Sequence, residues 1–189
     1  MTASEERSYV SGASAQPLVY WCVDEVLKAA AAQSPQRLGL AAPFQSLSFS
    51  FAELDAEVER VARGLVALGL ERGDRIGIWS PNCAEWILTM FAAARAGLVL
   101  VNINPAYRTS ELEFALRLTA CRALVFPARF KTSDYAGMLR TLIPELAAAD
   151  PCRLATAAFP ALRWLILLGS HPMEGTLSFA QLKTAGEAL

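Results

Sequence analysis

The sequence is poor in the residues that usually carry chemistry. It has one histidine, His171, in 189 residues. That lone residue lies in Gly169-Ser170-His171-Pro172, a turn composition, and reads as a surface loop residue rather than a catalytic base. Four cysteines, Cys22, Cys83, Cys121 and Cys152, are widely scattered and form no C-x-x-C pair. A zinc site is therefore disfavoured, and free thiols of an intracellular protein are expected. Charge is scarce: 19% of residues, with Lys+Arg 17 against Asp+Glu 18 and a net charge of −1. No basic field exists to attract nucleic acid or anionic lipid. No apolar run is long enough and free enough of arginine and proline to span a bilayer. The first residues, MTASEERSYVSGASAQP, carry two glutamates and no apolar core, unlike a secretory signal or a mitochondrial presequence. The expectation is a cytoplasmic protein, with the mitochondrion left open.

Glycine loops for phosphate are also missing. No G-x-G-x-x-G follows a strand and no G-x-x-x-x-G-K-[ST] occurs, which disfavours dehydrogenases and P-loop enzymes. No G-x-S-x-G elbow appears either. Carboxylates are numerous but have structural readings. Glu53, Glu85 and Glu113 fall at helix-cap positions, Asp55, Glu57 and Glu59 on a solvated helix face, and Asp74 in a turn. Trp79, Trp86, Phe91 and Trp164 read as core before they read as a ligand pocket. Arg108 stands near a helix N-terminus, where a phosphate could bind; a solvated or carboxylate-paired arginine is the favoured reading.

What is present is hydrophobic periodicity. Apolar residues make up 54% of the chain, a share inflated by alanine or matched to contact with further chain. Residues 1–17 read as a flexible arm and 18–189 as one domain. A helix is expected over 18–33, with Val19, Cys22, Val23, Val26 and Leu27 inward. Short strands follow over 38–51. Ser50 and Glu53 form a capping box for a helix carrying Leu54, Val58, Val61, Ala62, Leu65 and Leu68, ended by Gly69. A strand over 75–79 leads to a helix capped by Asn82 with Glu85. Its stripe is Trp86, Ile87, Met90, Phe91 and Ala94, and Gly97 ends it. The apolar strand 98–101 precedes a corner, Asn104-Pro105-Ala106-Tyr107. A helix with Ser110 and Glu113 as capping box follows, then a strand over 122–126 and a helix over 133–145. A loop region over 147–159, a strand over 164–168 and a last helix over 177–189 complete the chain. Alternation of this kind predicts an α/β fold: a mostly parallel sheet with helices on both faces, preceded by a short helix and strand extension.

Several stretches carry a resemblance. "GDRIGIWSPNCAEWILTMFAAARAGLVLVNINPAYRTSELEFAL", 73 to 116, resembles the N-terminal region of the adenylate-forming (AMP-binding) acyl-CoA synthetases. "FSFAEL", 49 to 54, is similar to their first core motif and "ARAGLVLVNINP", 94 to 105, to their second. "ALVFPARFKTSDYAGMLRTLIPEL", 123 to 146, and "SYVSGASAQPL", 8 to 18, resemble the medium-chain fatty-acid–CoA ligase branch. The resemblance implies the N-terminal subdomain of an enzyme that uses ATP, magnesium and coenzyme A to turn a fatty acid into acyl-CoA through an acyl-adenylate.

The sequence departs from that family where the chemistry should be. The family's Ser/Thr/Gly-rich phosphate loop, magnesium-binding glutamate, ribose-binding aspartate and C-terminal lid with its lysine match no position here. The resemblance therefore assigns no catalytic, cofactor-binding or metal residue, and ATP, magnesium and CoA are implied only for a full-length relative. The expected role is an N-terminal portion without turnover of its own. The alternative is a non-catalytic module that associates with the remainder of a synthetase or with a homologous subunit. A standalone nucleotide binder is weakened by the missing phosphate loop. The 104–107 corner is expected to orient the next helix and to hold no ligand.

Overall fold

The computed structural model describes residue 12 and residues 18–149, 154–169 and 172–188. The expected arm over 1–17, His171 and Cys152 lie almost wholly or wholly outside these. Elements run in the order α1 Val23–Gln33, β1 Leu38–Ala42, β2 Leu47–Ser50, α2 Phe51–Ala67, β3 Arg75–Trp79, α3 Ala84–Arg95, β4 Val99–Ile103 and α4 Thr109–Thr119. Then come β5 Ala123–Pro127, β6 Arg129–Phe130, β7 Ser133–Asp134, α5 Tyr135–Leu142, β8 Trp164–Leu168, β9 Leu177–Ser178 and α6 Phe179–Glu187. Strands β4, β3, β5, β8 and β9 form one parallel sheet in that order. Two antiparallel pairs, β1–β2 and β6–β7, flank it.

Why the sheet is covered on both faces is visible in β5 and β8. Ala123, Val125, Ile166 and Leu168 enter one apolar cluster with α1, α2, α3 and α6. Leu124, Phe126, Leu165 and Leu167 enter a second with α4 and α5. Side chains alternate across a strand, so an uninterrupted apolar run needs cover on each side. The expected α/β architecture is thus observed. Among the described residues no helix is long and apolar enough to cross a membrane.

Several local expectations need correction. Helix α1 begins at Val23, not Leu18, because the Glu25 carboxylate accepts the Cys22 amide at 2.6 Å and starts the helix there. Its inward residues are Asp24 and Leu27, while Val19, Val23 and Val26 are exposed. A buried cation explains the rotation. The Arg95 side chain, 7% exposed, bonds to Asp24 at 2.7 Å, to Asp55, and to Glu59 at 3.2 Å. It ties α3 to both α1 and α2.

The cap of α3 is not Asn82. Cys83 is the N-cap residue and offers no side-chain capping bond. Instead Gln45, in a short 3-10 turn over Pro43–Gln45, accepts from the Ala84 amide at 2.7 Å and donates to Glu85 at 2.7 Å. The most buried face of α3 is Ala84, Leu88, Thr89, Ala92 and Ala93, and the expected stripe of Trp86, Ile87, Met90, Phe91 and Ala94 is only half-buried. Small residues there let the helix lie close to its neighbours.

At α4 the reciprocal pair is Arg108 with Glu111, not Ser110 with Glu113. The Arg108 amide donates to Glu111 at 3.0 Å, and Glu113 instead pairs with Arg117. The helix expected over 133–145 is shorter. Asp134 caps it by accepting from Gly137, Ser133 and Asp134 pair with β6, and Pro144 opens a 3-10 turn. The Ser50–Glu53 box of α2 is present as expected.

Helices α2 and α6 meet at glycine. A Cβ on Gly64 would lie 2.2 Å from the Leu182 carbonyl oxygen, and one on Gly186 would lie 2.2 Å from that of Arg60. Lys183 and Arg60 both reach Glu57 beside this crossing.

Two outcomes are expected. Arg95→Met should cost about 3 kcal/mol of stability at pH 7 in urea unfolding, because Asp24 is left buried with Lys28 as its one remaining ion-pair partner among the described residues, and Asp55 and Glu59 lose their shared cation. The pH dependence should change with it. Burial alone would raise the Asp24 carboxyl, but hydrogen bonds from Lys28 and Arg95 outweigh that and hold it below its ordinary value. A hydrogen bond from Arg63, joined by the charge of Arg95, lowers Glu59. Their contribution is full above the ordinary carboxylate range, near ~4, and is lost as pH falls through the lowered folded values. Urea unfolding between pH 6 and acid should therefore show a shallower loss in the Met variant. Separately, Gln45→Ala should destabilise the chain by about 1 kcal/mol, with α3's first-turn amides exchanging faster by NMR.

Candidate functional site

The parallel strands all point their carboxyl ends the same way. Strand β3 connects through α3 to β4 on one side, and the chain then returns through α4 to β5 on the other. The connections diverge between β3 and β5, and a crevice opens there outside the strand ends, as in other open α/β sheets. A cleft of about 520 Å³ occupies this place. Ser80–Cys83 after β3, Pro127–Phe130 at the end of β5 and Leu168–Gly169 at the end of β8 line it, and Phe44 and Gln45 close one side. A second hollow of about 450 Å³ adjoins it between Ser80–Asn82, Trp86 and Asn102–Pro105.

The groups around the cleft are mostly engaged. Ser80 donates to the Pro81 carbonyl at 2.8 Å and lies 3.7 Å from the Cys83 sulfur. Burial pushes the Cys83 thiol up, so it is a neutral thiol at pH 7 and not a poised nucleophile. Glu85 accepts from Gln45. Arg129 lies 3.8 Å from Asp134. Magnesium, which the resemblance implies for a full-length relative, does not fit the described lining of this cleft: among the described residues Glu85 is the one carboxylate that lines it, and its Oε2 is taken by an amide.

The 104–107 corner is built as a turn. The Asn104 side chain accepts from the Ala106 amide at 2.9 Å and the Tyr107 amide reaches the Asn104 carbonyl at 3.0 Å. Tyr135, on α5, donates its hydroxyl to the Pro105 carbonyl at 2.6 Å and stacks on Trp79 with ring centroids 4.0 Å apart. The corner is thereby pinned to the core from the neighbouring helix. Asn104 and Pro105 also border the second hollow.

Residues singled out in the sequence divide between core and rim. Trp79 is fully buried, and Trp164 donates its indole N–H to the Leu68 carbonyl at 3.0 Å. Phe91 packs half-buried against the first cluster. Trp86 does the same but also borders the second hollow. Arg108 stands at the start of α4 and enters no ion pair among the described residues, beside a third hollow shared with Phe130 and Lys131. Gln45 and Tyr135 were not foreseen. Each acts on a partner far along the chain, and no local spacing marks such a contact.

Comparison with known proteins extends this geometry. The model of the family described as AMP-binding enzyme matches residues 27–181. Over 179 residues the chain is 41% identical to the mitochondrial medium-chain acyl-CoA ligase ACSF2 of Rattus norvegicus, covering 95% of this chain and 29% of that one. The Danio rerio protein of the same name is 41% identical over 181 residues, covering 96% and 30%. Among solved structures, the anthranilate CoA ligase AuaEII in complex with anthranoyl-AMP is similar in fold, with a TM-score of 0.71, 22% identity and coverage of 89% of this chain and 29% of that one. The chain thus spans under a third of the length of the curated relatives it matches. The resemblance read from residues 49–54 and 73–116 is matched across nearly the whole chain, which belongs to the AMP-binding enzyme family.

Proposed function

We propose that the chain serves a fatty-acid–CoA ligase, in which ATP activates a fatty acid as its adenylate and CoA takes the acyl group with release of AMP and pyrophosphate. The observation that carries this reading is the 41% identity, over 95% of the chain, to a medium-chain acyl-CoA ligase. In this reading residues 18–189 are the N-terminal part of the ligase domain. The strand ends form one rigid wall of the substrate cleft. Shape and exclusion of water are what such a wall contributes to a reaction with a hydrolysable intermediate. The Asn104–Tyr107 corner orients α4, and none of these residues takes a catalytic, cofactor-binding or metal role. ATP, magnesium and CoA are bound with residues of a longer ligase. The compartment is the cytoplasm, or the mitochondrion as in the names of the two relatives above. Incubated with ATP, octanoate and CoA, the purified chain should release no pyrophosphate above a blank. Turnover by the chain alone would overturn the reading.

A second reading is favoured by one observation. On α4, Phe114 is 68% and Leu118 71% exposed, beside β4, the last strand of the sheet on that side. Exposed apolar residues grouped on one helix suit contact with another chain. In this reading the protein is a non-catalytic module that associates with the remainder of a synthetase or with a homologous subunit. Sedimentation velocity over a concentration series decides it: a stable monomer at all concentrations, with no complex formed on mixing with a relative's remaining length, counts against the module.

A further inference from the structure

A separate cavity lies at the opposite end of the sheet from the cleft. It has a volume of about 200 Å³ and sits where α4 ends and β5 is about to begin. Leu116, Ala120 and Cys121 form one side, and Ala158, Phe159 and Leu162, from the surface loop before β8, form the other. Three alanines in this lining, Ala120, Ala158 and Ala161, leave the space that larger side chains would fill.

The polar side chains at its edge are already engaged. Arg117 spans the mouth: its Nε and Nη2 donate to Glu113 at 3.0 and 2.9 Å, and its Nη1 donates to the Ala158 carbonyl at 3.0 Å. Its guanidinium lies 5.3 Å above the Phe159 ring. Thr119 gives its hydroxyl proton to the Ala115 carbonyl at 2.7 Å, which leaves its oxygen to receive the Cys121 thiol at 3.2 Å. The Phe159 carbonyl accepts from the Leu162 amide at 3.0 Å, and Pro160 has no N–H to offer. A water molecule needs two to four polar partners to be held in place, which this apolar lining does not supply, and covering that lining with a small apolar molecule removes apolar surface from the solvent at the mouth. Glu113 neutralises Arg117, the one cation in the lining among the described residues, and Arg75 reaches the Ala120 carbonyl at 3.5 Å from outside it, so a carboxylate entering the cavity meets no free positive charge within the lining.

We propose that this cavity is a binding site for a small, uncharged apolar molecule of about benzene size, separate from the strand-end cleft. The occupant replaces missing dispersion contacts along Leu116, Phe159 and Leu162 without breaking any of the polar contacts at the mouth. The proposal is independent of the ligase reading, because none of its residues belongs to the cleft.

The test uses the full 189-residue chain, with benzene, xenon and octanoate as probes. Benzene near saturation should raise Tm by about 3 °C. Xenon and benzene should both shift the methyl NMR signals of Leu116 and Leu162. Octanoate should do neither, because its charge finds no partner there. Ala158→Leu, which fills the space, should abolish the benzene effect; should that variant not fold, Ala161→Leu or the methyl shifts of the unaltered chain decide. No change in Tm or in those methyl signals overturns the proposal. So does a benzene effect that survives the filling substitution, and so does an octanoate response equal to that of benzene.

Discussion

Strands β5 and β8 present apolar side chains to both faces of the sheet, and that constraint shapes everything around them. Ala123, Val125, Ile166 and Leu168 need one layer of helices, and Leu124, Phe126, Leu165 and Leu167 need another. Two covered faces leave the polar groups at the strand ends, on the outer helix surfaces, or paired between helices as at Arg95. The cleft between Ser80–Cys83 and Pro127–Phe130 follows from this. It lies where the connections part to reach opposite layers, and the loops there are free of the sheet's packing demands.

Polar contacts then fix how the layers sit. The Arg95 guanidinium gathers carboxylates from α1 and α2 against the end of α3. Its value lies in geometry more than in net energy, since desolvating Arg95 and Asp24 offsets much of their attraction. Gln45 and Tyr135 work similarly at the cleft. One carries the β1–β2 connection to the start of α3, and the other holds the Pro105 carbonyl from α5. The cleft's loops are thus tied to elements remote in the chain.

These ties show what the sequence reveals and what it hides. Helix α2 was legible because its determinants are local: Ser50 and Glu53 are three residues apart, and Gly69 follows the last turn. Strands β5 and β8 were legible because a continuous apolar run has few other uses. The start of α3 was not, since its capping group comes from position 45 and no spacing between neighbours records it. At α4 Arg108 with Glu111 and Ser110 with Glu113 share the same three-residue offset, and spacing alone does not distinguish them. The face of α1 departs from its apolar stripe because Asp24 turns inward toward a cation on another helix. The cleft was hidden for a related reason. Its lining is assembled from loops that only the strand order brings together, whereas the family resemblance, carried by contiguous motifs, needed no such assembly.

The glycine crossing of α2 and α6 has a temporal side. Gly64 and Gly186 bring two backbones into contact, and the stretch between them includes every strand of the parallel sheet. Closing so long a loop costs entropy that only the finished sheet offsets, which places α6 late in the order of assembly. On the ribosome, the notch at Gly64 therefore stands uncovered until α6 emerges, after all the strands of the parallel sheet have been made.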